Sequence, residues 1–179
     1  MESIASFYAN SEPYSEKISV DECSGFKVAF FENITLGVLK GISGVSYSFK
    51  DTFKCKKGHS KITFGCNCGF YSFKNFSDAI NLYFFRKGLF IFKTENYGDI
   101  FEHETGYISE QQDITEIYIP NRCYKSRCKN DVNFITQKKS RYLPSCYIHK
   151  LSLYFNIEEL TLISKISIKI IDKQYFLRK

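Results

Sequence analysis

The sequence predicts an α+β protein, β-rich, built on an antiparallel sheet with one or two helices and two zinc-stabilised loops. Three observations carry that prediction. Six of the seven cysteines and two of the three histidines fall into two tight clusters. Short segments along the chain alternate apolar and polar residues, the period of a half-buried strand. The 179 residues are 44% hydrophobic, with 18 Phe and 13 Tyr, enough to bury the core of one domain or two small ones.

Residues 1–24 read as a polar lead-in. A β-rich core is expected over 25–120. Gly25 to Phe31, Leu36 to Ile42 and Val45 to Phe49 read as three strands of a meander, the last strictly alternating. A Lys- and Gly-rich loop over 55–68 follows, then a short strand from Phe70 to Phe73. Asn75 or Ser77 caps a helix running to about Arg86. Phe76, Ile80 and Phe84 give it an apolar stripe, widened by Ala79 and Tyr83, and Gly88 stops it. Leu89 to Lys93, Ile100 to Glu104, Gly106 to Ser109 and Thr115 to Ile119 read as strand pieces, the last halted by Pro120. A basic, zinc-ribbon-like module is expected over 121–150, and a helix or strand tail over 151–179. In that tail Asn156 fits an N-cap before Glu158 and Glu159, which favours a helix to about Ile171. Ile166 to Ile170, however, alternates like a strand.

The first cluster is Cys55-x3-His59-x6-Cys66-x-Cys68. The second is Cys123-x4-Cys128, followed seventeen residues on by Cys146-x2-His149. Each offers four thiolate or imidazole ligands, the complement of a closed tetrahedral zinc site. With no position left for water, both ions would be structural. Glycines beside Cys66 and Cys68 suit a tight knuckle, and Lys56 and Lys57 favour thiolates. The competing reading packs Cys66 or Cys68 in the core. Disulfides fit poorly with an odd cysteine count and histidines inside the clusters. The first 25 residues lack an apolar stretch of the secretory type, and no apolar run reaches the roughly 18 residues of a membrane span. A reducing cytoplasm is the expected location. Cys23 stands outside both clusters, as a small buried residue or a stray thiol.

Residues 121–150 hold eight cations against one acid, Asp131. The cations are Arg122, Lys125, Arg127, Lys129, Lys138, Lys139, Arg141 and Lys150, interleaved with Tyr124, Phe134, Tyr142 and Tyr147. Cations and exposed rings together suit phosphates and stacked bases. The candidate partner-binding set is Arg122, Lys125, Arg127, Lys129, Lys138, Lys139, Arg141 and Tyr142. The bland alternative is a solvated face balancing thiolate charge. Elsewhere, Glu102 and Glu104 flank His103. On a strand they point away from it, which weakens an acid/base pairing. No phosphate-binding Gly loop or nucleophile elbow is present.

At Cys66-Asn-Cys-Gly-Phe-Tyr71 and Glu102-His-Glu-Thr-Gly-Tyr107 the chain resembles a group of small hypothetical proteins from bacteria and their phages. They share a Cys-x-Cys-Gly-x-Tyr knuckle, with a Cys and a His before it, and a later Glu-His-x-x-Gly-aromatic segment. The resemblance spans roughly Gly25 to His149. It implies metal ligation at the knuckle and structural importance for the second motif, and it implies no activity.

The sequence therefore points to a non-enzymatic, zinc-stabilised binding protein. Its expected partner is nucleic acid, or a nucleic-acid-binding protein, met by the basic module. No membrane or small-molecule substrate is indicated. One alternative is a protein-binding inhibitor or adaptor, of the kind a phage or mobile element directs at a host nucleic-acid enzyme. Another is an enzyme using Glu102 and His103.

Overall fold

The computed structural model describes residues 16–18, 22–63, 68–83 and 88–172. Alternating segments pair into two sheets, mostly antiparallel. In chain order the strands are β1 (Glu16–Ile18), β2 (Glu22–Asn33), β3 (Val38–Gly41), β4 (Ser46–Ser48), β5 (Lys50–Thr52) and β6 (Phe70–Phe73). Helix α1 (Phe76–Tyr83) precedes the long pair β7 (Phe90–His103) and β8 (Gly106–Pro120). Then come β9 (Phe134–Lys138), β10 (Arg141–Ser145), β11 (Tyr154–Asn156), helix α2 (Ile157–Ser164) and β12 (Ser167–Ile171).

The β7–β8 hairpin is the spine. β7 pairs with β8 along its length and with β2 over Glu22 to Ala29. β8 pairs in turn with β6, with β5 and, in parallel, with β12. β6 returns to β2 through Phe26 and Phe73, so the pairings β2, β7, β8, β6 close on themselves. Gly25 permits that closure. A Cβ there would lie 2.6 Å from Ser72 Oγ, so any side chain would wedge β2 from β6.

The apolar interior follows from alternation. Ala29 and Phe31 on β2, Leu39 on β3, Phe90 and Phe92 on β7, and Ile114, Ile117 and Ile119 on β8 form one cluster. Phe31 meets Phe90 and Phe92 edge-on, at 4.8 and 5.4 Å between centroids. Such pairs add about 0.5–1.5 kcal/mol each beyond their burial. The small sheet, in the order β10, β9, β11, packs Ile135, Tyr142 and Phe155 into the same cluster. The basic module therefore continues past residue 150 into β11 and shares its core with the rest.

One end of the interior is polar. Asn96 is fully buried. Its Oδ1 accepts from Gln112 Nε2 at 2.8 Å and Ser109 Oγ at 3.2 Å, and its Nδ2 donates to Ser72 Oγ and the Cys23 carbonyl. Nearby, Lys27 Nζ donates to the Tyr71 carbonyl at 3.1 Å and lies 4.6 Å from the Tyr47 ring centroid. Burial pulls the Lys27 amine down to about 7.

Three expectations change. The strand pieces between 89 and 119 are two long strands, continuous across irregularities near Lys93 and between Tyr97 and Ile100. Strand β2 begins at Glu22, inside the expected lead-in. The tail is helix then strand. Asn156 caps α2 by accepting from Glu158 N–H, and Lys165 in left-handed conformation (φ 56°) ends it well short of Ile171. The expected run of α1 through Arg86 lies partly outside the described residues.

Candidate metal centres and basic face

The first metal loop leaves the sheet at β5 and returns at β6, and both strands pair with neighbouring stretches of β8. Thr52 faces Gln111 and Phe70 faces Ser109, so the two feet of the loop stand two residues apart on β8. The Gly58 N–H donates to the Cys55 carbonyl, turning the chain so that His59 comes back. His59 Nδ1 lies 3.4 Å from Cys55 Sγ and 3.9 Å from Cys68 Sγ. Gly69 then carries the chain into β6 at φ 102°, where a Cβ would sit 2.7 Å from Ile108 Cγ2. Cys55, His59 and Cys68 form a group that can hold a metal ion. Cys66, the fourth expected ligand, lies outside the described residues.

The second centre is complete. Cys123, Cys128, Cys146 and His149 place their ligand atoms within 4.8 Å of one another. Cys146 Sγ stands 3.2 Å from His149 Nδ1 and 3.7 Å from Cys128 Sγ. Cys123 Sγ stands 3.5 Å from His149 Nδ1. Local structure explains the convergence. Arg127 adopts a left-handed φ of 61°, and the Cys128 N–H donates to the Lys125 carbonyl, which folds the first pair back. A single 3-10 turn, Tyr147–His149, brings His149 over Cys146. Asn121 staples the base. Its Oδ1 accepts from the Val132 N–H and its Nδ2 donates to Asp131.

Burial pushes the Cys123 thiol up. At Cys146 burial also pushes up. The backbone N–H groups of His149 and Ile148 and the thiols of Cys128 and Cys123 outweigh it, bringing the group down to about 6. The described cysteines form no disulfide. Cys23 is half-buried, and burial raises its thiol despite the contact with Asn96, which fits an inert residue.

Arg122, Lys125, Arg127, Lys129, Lys138, Lys139 and Arg141 are all exposed. Tyr142 is a correction. At 7% exposure its ring lies in the core beside Phe31 and Phe155, because its position on β10 faces inward opposite Gln137. Rings do reach the surface elsewhere. Tyr124 has Lys138 Nζ at 5.6 Å and Lys125 Nζ at 6.0 Å from its centroid. Tyr154, beyond the expected module, joins Phe134 and Tyr147 around Lys150. Glu102 pairs with Lys74 at 2.7 Å. His103 is buried, with neither ring nitrogen hydrogen-bonded, and burial first, then Lys74, lowers its pKa.

Sequence reasoning missed Lys27, Asn96 and Tyr154. The signal for the first two was a polar residue in phase with inward positions of a strand.

Among the described residues no helix is long and apolar enough to cross a membrane. The chain matches no protein-family model, and no similarity to a curated protein or a solved structure was found.

Proposed function

We propose that the protein is a zinc-stabilised, non-enzymatic module that binds nucleic acid through the basic face of residues 121–150. Zinc suits the donor set. Tetrahedral Zn–S and Zn–N bonds of about 2.3 and 2.05 Å imply Sγ–Sγ edges of about 3.8 Å and Sγ–Nδ1 edges of about 3.6 Å. The second centre has 3.7 Å for the first, and 3.2 and 3.5 Å for the second. Soft thiolates also favour zinc over calcium or magnesium. Free thiols and bound zinc both belong in a reducing compartment, and we place the protein in the cytoplasm on that ground.

One observation carries the nucleic-acid reading. The metal loop and the β9–β10 hairpin it steadies expose seven cations, and the only acid in this stretch, Asp131, is already engaged by Asn121. A fixed cationic face of this kind matches a phosphate backbone. The test is binding to fluorescent oligonucleotides across a salt series. A linear fall of log K with log salt supports the reading. Absence of binding at low salt refutes it.

A protein partner is the second reading. It is favoured by Leu162 (78% exposed), Ile163 and Ile170, which stand in water on the C-terminal helix–strand unit. Such binding would survive high salt.

A further inference from the structure

We propose that Tyr147 and Tyr154, exposed beside Lys150 at one edge of the β9–β10–β11 sheet, form a stacking platform for unpaired nucleobases, so that the protein takes single-stranded nucleic acid in preference to duplex. This rests on the nucleic-acid reading above and names its substrate class.

Paired positions in a sheet share a face, and successive residues alternate between faces. Ile135, Tyr142 and Phe155 point into the core. Phe134 and Lys138 on β9, and Tyr154 opposite Thr136, therefore take the other face, where Phe134, Thr136, Leu143 and Ser145 are buried while Tyr154 and Lys138 reach the surface. Tyr154 stands edge-on to Phe134 at 5.2 Å, and Tyr147 lies 6.2 Å from Phe134. Tyr147 is 71% exposed, on the turn between ligands Cys146 and His149. The Lys150 ammonium lies 4.4 to 4.8 Å from all three ring centroids. At the other end of β9, about 13 Å away at strand spacing, Lys138 and Lys125 flank Tyr124.

Tyr147 and Tyr154 thus share the Lys150 ammonium, and Tyr124 has those of Lys125 and Lys138. A single strand presents the complement, flat bases alternating with phosphates, and every base has a face to stack. A duplex hides those faces and presents phosphate alone. Duplex readout would also need an element for the major groove. The module's helical element is a three-residue 3-10 turn, and the adjacent α2 carries Glu158 and Glu159 in its first turn, which repel phosphate, so a duplex would be met only by the tip of the β9–β10 hairpin, which offers Lys138, Lys139 and Arg141 without a ring.

Oligo(dT), oligo(U) and a duplex of equal length, compared by anisotropy at one salt concentration, test the proposal. Both single strands should bind about tenfold tighter than the duplex, and the better of the two identifies DNA or RNA. The double variant Tyr147→Ala with Tyr154→Ala should weaken single-strand binding about ten- to a hundredfold. Its metal content and salt slope should stay as in the parent, because no phosphate contact is removed. The corresponding Phe variants should keep parental affinity. Equal or tighter duplex binding, or an alanine variant that binds like the parent, overturns the platform and leaves phosphate contact standing. Absence of binding to all three probes overturns both readings.

Discussion

The Sγ atoms of Cys128 and Cys146 stand 3.7 Å apart although seventeen residues separate them in sequence. That gap is far beyond a sulfur–sulfur bond, about 2.05 Å, and matches the edge of a thiolate tetrahedron. Two thiolates at this distance repel, and a cation between them turns repulsion into a crosslink. Cys146→Ser should therefore cost much of the second centre, lowering Tm by about 10 °C or more, since metal binding and folding free energy are linked. Cys23→Ser, with no place in either centre, should stay within about 3 °C of the parent. Elemental analysis should find about two zinc ions per chain in the parent. Equal melting shifts in the two variants would show the ligands wrongly assigned.

At the first centre the sensitive residue is not only a ligand. Gly69 holds φ 102° with Ile108 at its back, and it follows ligand Cys68 directly. Gly69→Ala must shift either β6 or Cys68. The expected result is loss of about one of the two zinc ions, with the second centre intact. Retention of both ions would mean that the knuckle tolerates the displacement and that Gly69 serves only β6.

How far the sequence disclosed this arrangement depends on the range of the interaction. Ligand spacing is local, so both clusters were legible, as were the meander, the Asn156 cap and the fate of Glu102 beside His103. The joining of strand pieces into β7 and β8 was not, because polar Thr94 and Asn96 interrupt the apolar pattern while pointing inward. Tyr142 was misread for a similar reason. Its neighbours Arg141 and Ser140 are polar, and only tertiary contacts, such as that of its ring with Phe31, show that β10 is covered on both faces.

Asn96, on β7, gathers donors from β8 and β6. Replacing it with Leu should leave Gln112 Nε2 and Ser109 Oγ buried without an acceptor, at about 1–3 kcal/mol each. A chemical-denaturation loss of about 2–5 kcal/mol is expected, with metal content unchanged. A loss below about 1 kcal/mol would show that water replaces the amide.

Lys27 gives the protein a pH signature. Its amine falls from an ordinary 10.5 to about 7 on folding, through burial. Below pH 7 it is charged in both states and its desolvation penalty is fully present, offset in part by the Tyr47 and Phe70 rings. Between about pH 7 and 10.5 the unfolded chain binds the extra proton, so stability rises with pH, by up to about 1.4 kcal/mol per unit. Lys27→Met removes the penalty. The variant should be more stable than the parent at pH 6.5, and the gap should shrink toward pH 9.5. Parallel stability curves for the two proteins would mean that the amine keeps its charge at all these pH values.

The basic hairpin offers the sharpest separation of binding from folding. Lys138, Lys139 and Arg141 are exposed, lie between the ligand pairs, and none is a ligand. Changing all three to Glu should leave metal content and Tm nearly as in the parent, because exposed charges contribute little to stability. Oligonucleotide binding should be abolished at moderate salt. Where binding is still measurable at low salt, the salt slope should fall by about two units, at about 0.7 per single-strand phosphate contact. A protein-binding role predicts a different outcome for the same variant, a slower on-rate with most affinity retained, because rim charges steer while apolar contacts hold. If the triple variant binds as fast and as tightly as the parent, the cations are a solvated surface, and the nucleic-acid reading loses the observation that carries it.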